Sequence, residues 1–200
     1  MPRVLSEDDV ADFRERLCEV AARLYAIKGV GGVTMRELAS ALGVSPMTPY
    51  RYFHDKEEIL AAVRTRAFDR FAATLEEARA QPGTSIERGR AVGQAYIRFA
   101  LEQPSAYRLM FDLSQPSEEA YPDLVRAMTR ARMNMTAHLD GLVDDGLLDG
   151  DPELIGHVYW AMLHGAVSLQ LADKLGPKYD LVTICQAAGK ALSEGFRPKS

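Results

Sequence analysis

Apolar positions recur at three- and four-residue steps along nearly the whole chain, and alternating β-branched runs are nearly absent. That period belongs to helices that bury one face. Over about 8–28, Val10, Phe13, Leu17, Val20, Ala21 and Leu24 form one stripe, and Gly29, Gly31 and Gly32 end it. Thr34 with Glu37 three residues on is a capping-box pattern and starts a second, short helix that stops at Gly43. Ser45 is the expected cap of a third helix, with Pro46 at its first position and its end near Phe53. Asp55 with Glu58 opens a long fourth helix through Ile59, Val63, Phe68 and Leu75 to about Arg79. After the break at Gln81-Pro82-Gly83, Thr84 and Glu87 repeat the capping box. Further helices are expected over 85–102, 104–112, 118–146, 152–174 and 179–195, the third of these starting near Ser117 so that Pro122 falls in its first turn. The pattern predicts an all-α protein of about nine helices.

The 200 residues, 47% hydrophobic and 26% charged, suit one or two folded domains rather than a disordered chain. No apolar run approaches the roughly 20 residues of a membrane helix. The first residues are acidic where an export signal is basic, so the expectation is no membrane and a cytoplasmic address. Cys18 and Cys185 share no metal-ligand spacing, and neither a metal site nor a disulfide framework is expected. The net charge of −4 argues against nucleic acid until its distribution is considered. Residues 1–12 carry −3, residues 13–56 carry +3, and residues 57–200 carry −4. A small basic DNA reader on an acidic domain has this profile. On charge alone, chance fluctuation explains it equally well.

The stretch GVGGVTMRELASALGVSPMTPYRYFHDKEEIL, residues 29–60, holds two short helices and a three-residue turn. Ala39 permits a close helix crossing, Gly43 permits the left-handed turn, and Leu38, Leu42 and Val44 pack the corner. These are the requirements of a helix-turn-helix; an ordinary helical hairpin shares them. The full string is more specific. Its T-x-x-E-L-A, G-V-S and Y-R-Y-F-x-x-K-E-E-x-L pieces resemble, in order and spacing, the DNA-binding segment of the tetracycline-repressor (TetR) family of bacterial transcription regulators. The resemblance covers about residues 10–65. Trp160-Ala161-Met162-Leu163-His164-Gly165 also looks like the Trp–His–Gly signature of one subgroup of the family's C-terminal domains.

The resemblance implies a three-helix DNA-binding domain over 8–56, a connecting helix over 57–80, and a ligand-binding and dimerisation domain over 84–196. Together with helix geometry it implies that Pro46, Met47, Thr48 and Arg51 face base edges, with Arg51 suited to guanine and Met47 or Thr48 to a thymine methyl. Tyr50, Tyr52, His54 and Lys56 would meet phosphates, as would Thr34 and Arg36 at the start of the supporting helix. Core packing is the competing reading for Tyr50 and the preferred one for Phe53. Pro49 departs from the family's more usual leucine and leaves the start of the recognition helix open.

In the second half, Tyr107, Met110, Phe111, Met128, Trp160 and His164 combine adaptable apolar surface with a few polar groups, and the resemblance makes them the expected lining of a pocket for a small apolar or aromatic effector. No cofactor is expected. His157 and His164 are seven residues apart, about 11 Å along a helix, too far to share one metal. Small residues in the last two helices, with a stripe of Leu181, Ile184, Cys185, Ala188 and Leu192, fit either a two-fold interface or burial in the monomer. No phosphate loop, nucleophile elbow or metal cluster is present. The expected protein is therefore a dimeric, ligand-released repressor on a near-palindromic operator, and not an enzyme. A helical carrier, or a bundle enzyme using His138, His157 or His164, are the competing classes.

Overall fold

A computed structural model describes residues 6–111 and 118–198. Among these residues it contains nine α-helices, two short 3-10 helices and no strand. The helices are α1 (Glu7–Lys28), α2 (Met35–Ala41), α3 (Lys56–Arg79), α4 (Ser85–Glu102), α5 (Pro104–Phe111), α6 (Pro122–Thr136), α7 (His138–Asp144), α8 (Pro152–Leu171) and α9 (Leu181–Gly195). The chain divides into two compact units. One holds the residues up to Phe68 together with Ser105–Met128; the other holds Asp69–Pro104 and Thr129 onward.

Helix starts follow local chemistry. Ser6, Thr34 and Thr84 each accept from the backbone N–H three residues on, while Asp9, Glu37 and Glu87 reach back to the cap's own N–H. Asp55, Asp151 and Asp180 cap α3, α8 and α9 in the same sense.

In the first unit, α1 turns Leu17, Cys18, Ala21 and Tyr25 onto Val33, Leu38, Phe53, Ile59, Leu60 and Val63. Leu109 of α5, which the sequence pattern assigned to the second half, joins this same core. The corner after α2 is built as expected: Gly43 takes φ +68° and the Val44 N–H donates to the Ala39 carbonyl at 3.0 Å. Arg64 of α3 is buried, donating to the Met110 carbonyl at 3.2 Å and to Glu118.

In the second unit, Phe71 meets Tyr96 and Phe99 at ring distances of 5.3 and 5.0 Å. Helix α4 packs on α7 and α8, and α8 packs on α9. Arg130 donates to both carboxylate oxygens of Glu76, at 2.9 and 2.5 Å, and to Asp69 at 3.2 Å.

Two expectations are corrected. The single helix over 118–146 is a 3-10 turn (Glu118–Ala120) followed by α6 and α7. Its proposed start near Ser117 lies outside the described residues. The break falls where Gly156 of α8 crosses so closely that a Cβ there would stand 2.7 Å from Thr136. The Thr136 hydroxyl meanwhile donates to the Met133 carbonyl at 3.3 Å, in competition with the helical ladder.

The second correction concerns the recognition segment. The structure has a 3-10 helix, Pro49–Arg51, preceded by Thr48, in place of an α-helix from Pro46 to Phe53. Pro46 and Pro49 both lack an N–H, and the Pro49 ring obstructs a ladder bond to the Ser45 carbonyl. Three of the remaining donors close shorter loops, Thr48 N–H to Ser45, Arg51 N–H to Thr48 and Tyr52 N–H to Pro49, at 2.8, 3.1 and 3.0 Å, and only Phe53 N–H reaches back four residues, to Pro49 at 3.0 Å. Pro49 thus stands at the first helical position, where its missing donor costs least.

Candidate nucleic-acid interface

The segment after α2 alternates anchors and exposed groups. Pro49 and Phe53 are buried, and Phe53 belongs to the unit's core as preferred from the sequence. Ahead of Pro49, Met47 is 68% exposed and Pro46 exposed, with Thr48 half-buried; between the two anchors Tyr50 is 48% exposed and Arg51 is exposed. Two large apolar groups held in water beside a guanidinium are costly unless something covers them. A major-groove floor of thymine methyls and guanine acceptors is one surface that fits them.

The flanking residues divide. Thr34 and Arg36 are exposed at the start of α2. The Thr34 hydroxyl and N–H are both engaged by the Glu37 carboxylate, at 2.9 and 2.9 Å. That carboxylate also accepts from Lys28 Nζ at 2.7 Å, and these bonds hold its pKa down at about 2. Arg36 is therefore the freer cation at this helix end. Tyr52 is half-buried, its ring stacked on Phe13 at 4.1 Å, so its main service is to position the segment. His54 is exposed; its Nδ1 meets Asp55 at 2.9 Å, and the hydrogen bond and charge of Asp55 raise its pKa. Lys56 Nζ donates to the Val30 carbonyl at 3.3 Å and so ties the α1–α2 loop to α3.

Sequence reading missed Arg14. Its guanidinium lies over the Phe53 ring at 3.8 Å, donates to the Tyr52 carbonyl, and pairs with Glu58 at 3.2 Å. One side chain thereby fixes the end of the 3-10 segment to α1 and α3. The available signal was its place beside Phe13 in the α1 stripe, where an arginine needs a buried-side partner.

The six residues expected to line an effector pocket fall in different units. Tyr107, Met110, Phe111 and Met128 belong to the first, where Tyr107 and Met110 are buried and the Tyr107 and Phe111 rings lie 4.9 Å apart. Trp160 and His164 belong to the second, with rings 6.4 Å apart on α8. His164 Nδ1 lies 3.5 Å from the hydroxyl of buried Tyr96, and burial lowers its pKa.

Among the described residues, no helix is long and apolar enough to cross a membrane. Comparison with known proteins agrees with the helix-turn-helix geometry. Residues 17–63 match the family described as bacterial regulatory proteins, tetR family, and residues 89–189 match the tetracyclin repressor-like C-terminal domain. The chain is 30% identical over 153 residues to the HTH-type transcriptional regulator BetI of Rhizobium meliloti, covering 73% of this chain and 75% of that one. It is 27% identical over 118 residues to the HTH-type transcriptional activator FasR of Mycolicibacterium smegmatis, covering 59% and 54%. Among solved structures, the TetR family transcriptional regulator PfmR of Thermus thermophilus superposes with a TM-score of 0.70 at 26% identity, over 92% of this chain and all (100%) of that one. A Rhodococcus protein of unknown function superposes with a TM-score of 0.81 at 25% identity, over 99% and 100%. With its reading segment standing on a three-element core and both halves matched, the chain belongs to the tetR family of DNA-binding transcriptional regulators.

Proposed function

We propose that this regulator is a cytoplasmic, non-catalytic repressor that binds a near-palindromic operator as a homodimer and is released by a small apolar or aromatic effector. The observation that carries the DNA half of this reading is the exposed Met47–Tyr50–Arg51 surface, with Met47 just before the buried anchor Pro49 and Tyr50 and Arg51 between it and buried Phe53. Arg51 reads guanine, Met47 and Thr48 meet apolar base edges, and Arg36, Tyr50, His54 and Lys56 serve the phosphates. Binding-site selection tests it. Arg51→Ala relaxes preference at one symmetric base pair by about 1–3 kcal/mol; unchanged preference and affinity would remove Arg51 from the reading role.

The dimer half rests on α8 and α9, which pack on each other yet leave Leu154, Leu169 and Val182 exposed, along with Ala161, Ala187 and Ala191. Half-buried Ala188 and Leu192 continue that face. Acidic substitutions at both positions separate the protomers in sedimentation and abolish operator binding, since one half-site forfeits the second set of contacts. The effector binds the DNA-free state more tightly than the DNA-bound state. A coupling of about 1–3 kcal/mol weakens operator affinity roughly 5–150-fold. Trp160 is the single tryptophan, so its emission reports a ligand near α8, while Tyr107→Ala tests the α5 side chains separately.

A further inference from the structure

The second unit carries a cleft of about 330 Å³ lined by Glu76, Arg79 and Ala80 at the end of α3, Arg88 in α4, and Ala137, His138 and Gly141 around the start of α7. Its charge is unbalanced. Glu76 is spent: one oxygen accepts from Arg130 Nε at 2.9 Å and Asn134 Nδ2 at 2.7 Å, the other from Arg130 Nη2 at 2.5 Å. Among the described residues, Arg88 is held by neutral groups, donating to the Gly83 carbonyl at 2.7 Å and the Ser85 hydroxyl at 3.1 Å. Arg79 is exposed and forms no hydrogen bond or ion pair among the described residues, although its charge is felt by Glu76 and His138. His138 Nδ1 is buried without a partner. Close packing fixes the imidazole there, since a Cβ on Gly89 would stand 3.3 Å from its Cδ2. Gly141 keeps the floor open in the same way, its absent Cβ facing Ser85 Oγ at 3.0 Å.

Two guanidinium groups, neither bonded to a carboxylate among the described residues, in a cleft whose one carboxylate is taken up by Arg130 and Asn134, suit an oxyanion. We propose that this cleft binds the carboxylate or phosphate group of a small metabolite, at a site separate from the DNA reader and from the side chains offered to an apolar effector. Arg79 and Arg88 supply the charge-assisted bonds. His138 lines the same cleft within reach of the Arg79 charge, so its ring reports an anion bound there.

The test titrates the full-length protein with inorganic phosphate, succinate and, at matched ionic strength, sodium chloride. The readouts are the melting temperature and the ring C–H resonances of the four histidines, with His138 assigned through His138→Gln. Phosphate or succinate raises the melting temperature and moves the His138 resonance while His54, His157 and His164 hold still. The salt that acts identifies which oxyanion the cleft takes. Arg79→Gln, at an exposed position, weakens the response roughly tenfold or more, the worth of one charge-assisted bond. Ala80→Glu, also exposed, weakens it similarly by placing a competing carboxylate beside the arginines. An equal response to chloride would overturn the proposal, as would an undiminished response in both variants. So would silence to both salts up to roughly 10 mM, which excludes even a millimolar site. Operator binding, read in parallel, separates failure here from failure of the DNA-reading assignment.

Discussion

Thr34–Glu37 in the first unit and Thr84–Glu87 in the second are the same four-residue device with different surroundings. In both, the threonine N–H and hydroxyl donate to the glutamate, at 2.9 and 2.9 Å in the first and 2.8 and 2.9 Å in the second. Glu37 also takes Lys28 of α1, and its pKa falls to about 2. Among the described residues, Glu87 has its own cap and the charge of Arg90. The local motif starts a helix in either place; beside the DNA reader it has also become a brace between helices. Arg14–Glu58, Arg66–Glu15 and Lys56 on the Val30 carbonyl continue the pattern in the first unit. The second unit concentrates its polar bridges on Arg130, which gathers Glu76 and Asp69. A surface that must present side chains to a groove at fixed spacing gains from such bracing, because misplaced readers lose base contacts before the fold fails.

The largest test of this contrast lies in the cores. Phe71→Ala in the second unit costs about 3–5 kcal/mol, and Leu38→Ala in the first about 2–5 kcal/mol, since both side chains are fully buried. Denaturant unfolding followed by Trp160 emission and by far-ultraviolet dichroism distinguishes the units, because Trp160 belongs to the second. If Leu38→Ala shifts both signals equally, the units unfold together and the bracing serves the whole chain.

Arg14→Ala comes next. Loss of its bonds to Tyr52 and Glu58 and of its seat on Phe53 costs roughly 1–3 kcal/mol. Operator affinity falls further than stability does, because the reading turn loses its anchor while Arg51 is untouched. Parallel losses in thermal unfolding and in shift assays would reduce Arg14 to an ordinary stabilising residue.

The two caps follow. Thr84→Ala costs about 1 kcal/mol, the usual value of an N-cap. Thr34→Ala costs more, within the roughly 0.5–2 kcal/mol range, because it also frees the carboxylate that holds Lys28. Equal losses in a urea series would show that the brace adds nothing.

Acid separates the units by pH. Glu37 titrates lower in the folded protein than its ordinary 4.5, so its contribution is present above that value and is lost as pH falls toward about 2. His138 is buried, and desolvation, with the charge of Arg79, lowers its pKa to about 4. The unfolded chain takes up that proton near 6.5 while the folded chain declines it, so stability is lost as pH falls from 6.5 toward about 4. In unfolding midpoints measured against pH, His138→Gln flattens the upper window and Glu37→Gln the lower. A fall that survives both substitutions would assign the acid sensitivity elsewhere.

Much of this was legible in the sequence, for a reason common to the legible parts. Helix starts at Ser85, Pro152 and Lys56, the Gly43 corner and the buried place of Phe53 rest on interactions spanning three to five residues or on one stripe of a single helix. The string from Thr34 to Leu60 carried the family for the same reason: its frame and its readers lie in one short segment. What the sequence could not determine depends on groups far apart in the chain. Leu109 joins the core of residues ninety positions earlier, Arg64 turns inward because Met110 and Glu118 receive it, and α6 ends at Thr136 because Gly156 crosses there. The reading turn shows both levels at once. Its prolines forbid the regular ladder by covalent structure alone, but it took Phe13, Arg14 and the buried core around Phe53 to decide that the shortened turn would be held with Met47, Tyr50 and Arg51 outward. Hydrogen-bonding capacity is written locally in each residue, whereas burial is a property of the neighbours that folding brings, and only the tertiary structure supplies them.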